Sequence, residues 1–127
     1  MHLVDTSVWI DHLRKSDSAL TILLESAQAV THPFIIGEIA LGSLRNRQAV
    51  LAELARLPPV RVALDGEVRQ FIEQHRLFGS GLGYIDAHLL VSARLEGAAL
   101  FTRDRRLAGI AERLGLSPAQ ATSSRQR

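Results

Sequence analysis

Four carboxylates stand where an apolar segment meets a polar turn or helix: Asp5 in LVDTS, Glu38 in FIIGEIA, Asp86 in GYIDAHLL and Asp104 in ALFTRD. Drawn together, they have the chemistry of a shared site for a cation. Carboxylates cannot converge unaided, because their repulsion raises some pKa values or opens the pocket. A divalent ion resolves this. Mg²⁺ or Mn²⁺ prefers oxygen ligands, and Mg²⁺ keeps several waters, so two acids binding directly and two through water are enough. Such an ion stabilises charge on a phosphate and makes water a hydroxide-like nucleophile, and a second ion would hold the leaving oxygen.

The elements around the acids favour convergence. Asp5 and Asp104 follow the runs His2 to Val4 and Ala98 to Thr102, which read as short buried strands. Both acids then lie at strand carboxyl ends, which line the ligand crevice of parallel α/β sheets. Each acid also has a plain alternative role as a helix cap. Capping alone does not explain why two such acids end two buried strands, with hydroxyls at Thr6, Ser7 and Thr102 beside them. Glu38 and Asp86 fall inside helical patterns. Helical spacing places Phe34, Ile35, Leu41 and Gly42 on the face of Glu38, which predicts an inward-facing carboxylate with room left by Gly42. Asp86 suits the first turn of its helix on dipole grounds, yet Leu90 and Ala93 continue its face inward.

Strands are expected at His2 to Val4, Ala29 to Thr31, Val60 to Leu64 and Ala98 to Thr102, with a short edge strand starting at Leu116. Helices are expected over Ser7 to Leu13, Asp17 to Ala27, Phe34 to Leu44, Gln48 to Leu57, Asp65 to Leu77, Tyr84 to Leu95 and Asp104 to Leu114. Pro33 suits a first helical turn, and Pro58-Pro59 ends a helix. Alternating short strands and helices imply an α/β fold with a parallel sheet covered on both faces, in three α/β/α layers. Residues 1–116 are expected to form a single domain, and residues 117–127, which lack apolar periodicity, a flexible tail.

Length and composition narrow the function. At 127 residues there is room for one core. No apolar run reaches the roughly 20 residues of a membrane span, and no basic-then-apolar leader is seen, so a cytoplasmic protein is expected. The absence of cysteine excludes disulfides, thiolate zinc sites and cysteine nucleophiles. Fourteen arginines and the single Lys15 face thirteen acids. If four acids share a pocket, the rest of the molecule carries an excess of six basic residues, a positive field suited to phosphates.

The segments VDTSVWID, FIIGEIALG, YIDAHLL and FTRD together resemble the four acidic motifs of PIN-domain ribonucleases, and the small size resembles the VapC toxins of toxin–antitoxin pairs. The likeness spans about Leu3 to Leu116. It implies a PIN-like parallel sheet of about five strands and endonucleolytic cleavage of RNA by metal-activated water. It also implies that Asp5, Glu38, Asp86 and Asp104 are catalytic and bind Mg²⁺ or Mn²⁺. Asp5 and Asp104 would be direct ligands, Asp86 direct or through water and Glu38 through water, with Thr6 and Thr102 in support. A cognate VapB-like antitoxin, a homodimer, and contact with DNA only through the antitoxin are further implications. His88 departs from the pattern, since the family commonly has an apolar residue two places after the third acid.

Other features carry less. The five histidines, His2, His12, His32, His75 and His88, show no zinc-binding spacing. Gly79 to Gly83 lacks a phosphate-loop lysine and does not follow a strand, so it reads as a flexible hinge. A haloacid-dehalogenase-type phosphatase would need a second acid where Ser7 stands, and a receiver domain would need a late lysine. The remaining alternative is a catalytically silent PIN-like module that binds RNA or protein without cutting.

Overall fold

The computed structural model describes residues 1–118. Its elements are β1 (His2–Val4), α1 (Thr6–Arg14), α2 (Ser18–Glu25), β2 (Ala29–Val30), α3 (Pro33–Leu41), α4 (Arg47–Ala55), α5 (Asp65–Gln74), α6 (Tyr84–Glu96), β3 (Ala99–Phe101) and α7 (Arg105–Arg113). The strands form a parallel sheet in the order β2-β1-β3, with His2 opposite both Ala29 and Ala99. In the central strand, Leu3 and Val4 are fully buried, as a sheet covered on both faces requires.

Each edge of the sheet is prolonged by one short pairing. Thr31 bridges Pro59, with Thr31 N–H donating to the Pro58 carbonyl at 3.0 Å and Val60 N–H to the Thr31 carbonyl at 2.8 Å. At the other edge, Leu100 N–H donates to the Leu116 carbonyl at 2.8 Å. The expected five strands thus take the form of three strands and two edge pairings. Val60 to Leu64 does not continue as a strand, and its surroundings supply the reason. Pro58 and Pro59 have no N–H for a ladder, and side chains of α6 take up Arg61: Ser92 Oγ donates to its carbonyl at 2.7 Å and its N–H donates to Glu96 Oε1 at 3.0 Å.

The chain passes from β1 to the β2 edge and then back past β1 to β3, so helices must carry both parallel connections. Accordingly α1 packs on α2 and α3, α3 on α4, and α5 on α6. Trp9, Leu20, Ile35, Leu89 and Leu90 are fully buried between these layers. Helix α3 stops at Leu41 rather than Leu44, because Gly42 turns extended and Arg47 Nε donates to the Ala40 carbonyl at 2.8 Å. Of the expected tail, residues 119–127 lie outside the described residues.

Candidate active site

Asp5 occupies the N-cap position of α1, but its carboxylate makes no capping hydrogen bond. Instead, buried at the end of β1, it turns toward β3. Its Oδ2 accepts from Thr102 Oγ1 at 2.7 Å and from Ser7 Oγ at 2.8 Å. The Thr102 hydroxyl also accepts Asp104 N–H at 3.1 Å, and the Ser7 hydroxyl accepts Arg103 N–H at 3.0 Å. Two hydroxyls therefore stitch the carboxyl ends of β1 and β3 together and orient Asp5. Both Asp5 and Asp104 lie at the crevice end of the sheet that their strands predict.

Asp104 does cap its helix: Oδ1 accepts from Arg106 N–H at 2.9 Å and Leu107 N–H at 3.1 Å. Capping and a site role are compatible here, since both bonds fall on one oxygen. Glu38 differs from expectation. The core face of α3 is Ile35 and Ile39, one position round from the face read in the sequence, so Glu38 lies on the exposed border and Leu41 is 90% exposed. Gly42 is not the carboxylate's neighbour either, because a Cβ there would meet the Ile39 carbonyl at 3.4 Å. Glu38 instead sits over α1, where Thr6 Oγ1 donates to Oε1 at 3.1 Å. Asp86 is half-buried in the first turn of α6.

The acids sense one another. Burial pushes the Glu38 carboxyl up, and the charges of Asp5 and Asp86 add to that against the opposing bond from Thr6. Burial likewise raises Asp86, reinforced by Asp5 and Asp104 and opposed by a backbone bond from Gly83. All four donors are carboxylates, as a hard divalent cation prefers. The bonds named above fall on Asp5 Oδ2, Glu38 Oε1 and Asp104 Oδ1, and the second oxygen of each takes no hydrogen bond among the described residues. The donor set fits an ion, but no three His, Cys, Asp or Glu side chains among the described residues form a ready cage.

The sequence did not reveal the anchors on either side of Asp104. Arg103 donates to Asp11 Oδ2 at 3.0 Å, pairs with Asp17 and lies over the Phe101 ring, which ties the β3–α7 turn to α1 and the start of α2. Arg106 donates to the Gly81 carbonyl at 3.1 Å. The Gly79–Gly83 segment, read as a hinge, is thus held by an arginine and by Ser80 Oγ, which accepts Leu82 N–H at 3.4 Å. A run of arginines was visible, but which ones reach across the fold was not. His88 is buried between Phe34 and Tyr84, with Nε2 3.8 Å from Asp65 Oδ1, and its Nδ1 has no partner among the described residues.

The model of the PIN domain family matches residues 2–113. The chain belongs to the PIN-domain family. Ribonuclease VapC32 of Mycobacterium tuberculosis, from strains CDC 1551 / Oshkosh and ATCC 25618 / H37Rv, is 46% identical over 124 residues, covering 97% of this chain and 100% of the relative. This makes the chain a PIN domain of VapC type. The crystal structure of PAE2754 from Pyrobaculum aerophilum superposes with a TM-score of 0.59 over 85% of this chain and 77% of that one, at 19% identity. That likeness concerns the fold. Among the described residues, no helix of this PIN domain is long and apolar enough to cross a membrane.

Proposed function

We propose that this PIN domain is a metal-dependent endoribonuclease toxin in which Asp5, Glu38, Asp86 and Asp104 form the catalytic site. The observation that carries this reading is the meeting of Asp5, Thr102 and Asp104 through one hydroxyl at the ends of two parallel strands. Asp5 and Asp104 would hold Mg²⁺ or Mn²⁺ directly, Asp86 directly or through water, and Glu38 through water. When bound, such an ion supplies positive charge to the phosphodiester and lowers the pKa of water.

The chain's own residues do the rest. Thr102 and Ser7 hold one oxygen of the Asp5 carboxylate and leave the other for an ion, and Thr6 does the same for Glu38. Glu38, held over α1 by Thr6, is the carboxylate that takes a proton from the attacking water in this reading. The water oxygen bonds to phosphorus as the ester oxygen leaves and takes a proton from solvent, with no covalent enzyme intermediate. The surplus arginines attract the RNA backbone.

The partner in this reading is a VapB-like antitoxin, with the toxin acting as a homodimer and reaching DNA only through that antitoxin. An arginine of the antitoxin would pair with Asp5 and Asp104 by charge-assisted bonds, competing with metal. Expression of the chain alone should arrest growth, and coexpression of a small neighbouring protein should relieve it. If the wild type is harmless, finds no partner and cuts no RNA with either metal, a silent binding module is the better account.

A further inference from the structure

The turn from α5 into α6 builds a feature outside the acidic cluster. Phe78, Leu82 and Tyr84, together with Ile72 and the backbone of Gly81 and Gly83, line a pocket of about 210 Å³. That is below the roughly 300–1,000 Å³ of sites for drug-sized ligands and suits one planar ring system. Two aromatic side chains flank it in the open, Phe78 at 62% exposure and Tyr84 at 47%. Tyr84 is already fixed in place. Its hydroxyl donates to Asp65 Oδ1 at 3.1 Å, and its ring stands edge-on to buried His88 with centroids 4.8 Å apart. A ring so held loses little freedom when a second ring stacks on it.

The pocket lies beside the third acid. A Cβ on Gly83 would lie 3.8 Å from Asp86 Oδ2, so the third acid borders a glycine of the pocket wall. On the other side, the Arg106 guanidinium rests on Gly81 and bonds its carbonyl, two residues after Asp104. Gly81 has φ of +83°, and a Cβ there would meet Arg106 Nη1 at 2.5 Å, so glycine is what allows cation and pocket to share one wall. Apolar walls, an aromatic pair and a neighbouring cation make up a platform for an unpaired base and its phosphate, since single-stranded RNA is read by stacking on aromatic and arginine side chains.

We propose that this pocket receives one unpaired nucleobase of the RNA, adjacent to the phosphate at the acidic cluster, with Tyr84 and Phe78 as its stacking residues. The inference rests on the ribonuclease reading, and two separate arms test it. In the first, an RNA cut at one position is made with an abasic nucleotide at each site around the cut. One adjoining position should raise KM for the wild type about ten- to hundredfold, the scale of one lost stack. Tyr84→Ala should cost a similar factor on intact RNA and nothing more on that abasic RNA. Tyr84→Phe should keep most of the activity, and Leu95→Ala, on an exposed residue elsewhere, should change nothing. Equal tolerance of abasic sites everywhere, or losses that multiply when variant and abasic site are combined, would overturn the proposal.

In the second arm, an oligonucleotide carrying 2-aminopurine is titrated without turnover. Its fluorescence should be quenched by the wild type, and less by Phe78→Ala and Tyr84→Ala. Quenching without any cleavage would keep the pocket and remove the ribonuclease reading. Cleavage without base-dependent binding would do the opposite. If the variants lose only a protein partner while all RNA measurements stand, the pocket is a protein-docking surface and the proposal fails.

Discussion

Lowering the pH should destabilise the protein through His32. This side chain is fully buried at the start of α3, where its Nδ1 accepts Phe34 N–H at 3.0 Å and so caps the helix. A protonated imidazole cannot accept that bond, and Nε2 has no partner among the described residues. Burial, reinforced by the nearby His88, pushes the His32 pKa from its ordinary 6.5 down to about 4. The folded state then binds fewer protons than the unfolded chain between these values, so stability rises with pH. The contribution is complete above pH 6.5 and falls away as pH drops toward 4. By linkage the loss is about 2 kcal/mol at pH 5 and about 3 kcal/mol at pH 4. Urea unfolding of chelated protein at pH 7.5, 6, 5 and 4 reads this directly. His32→Asn keeps a capping acceptor and does not titrate, so subtracting its stability cancels the other titrating groups. A wild-type minus variant difference that stays constant from pH 7.5 to pH 4 would refute the reasoning.

Three further outcomes are expected. Without metal, Asp86→Asn should melt at the same or a higher temperature than the wild type, because its raised pKa means that the charged form is unfavourable in the fold, a penalty that grows as pH rises through that pKa. Added Mn²⁺ should stabilise the wild type more than this variant, and the reverse order in thermal melts would count against a shared site. Gly81→Ala, at φ of +83° and against Arg106, should cost about 1–2 kcal/mol in urea unfolding, and less in an Arg106→Ala background; no cost in either would discredit the fixed loop. Thr102→Val should lower cleavage while Thr102→Ser preserves it, since only serine can keep the 2.7 Å bond to Asp5; equal activity would remove Thr102 from the site.

Local patterns made the strand-end acids legible. An apolar run followed by Asp-Thr or by Thr-Arg-Asp marks the end of a buried strand, and both acids lie where that pattern puts them. The face of Glu38 was read one position out, because helical periodicity cannot separate a core residue from its border when Phe34, Ile35 and Ile39 all fit the stripe. The glycine segment looked like a hinge because the arginine that holds it is 25 residues away. Thr102 and Asp5 are 97 residues apart and Arg103 and Asp11 are 92 apart, so no local window contains either contact. At Val60 the alternation was real, but the edge was taken up by α6 side chains that only the folded chain brings near.

The central claim, that the four acids hold a divalent ion for RNA hydrolysis, is tested most directly by one cleavage assay. Purified wild type, Asp5→Asn and Asp104→Asn are compared on the same RNA with Mg²⁺ or Mn²⁺ and with chelator, and circular dichroism is recorded for each protein. Metal-dependent cleavage by the wild type should fall by at least about a hundredfold in either variant, with unchanged spectra, because a charged ligand is lost at constant shape. Cleavage that persists in chelator, or at the wild-type rate in Asp5→Asn, would contradict the account.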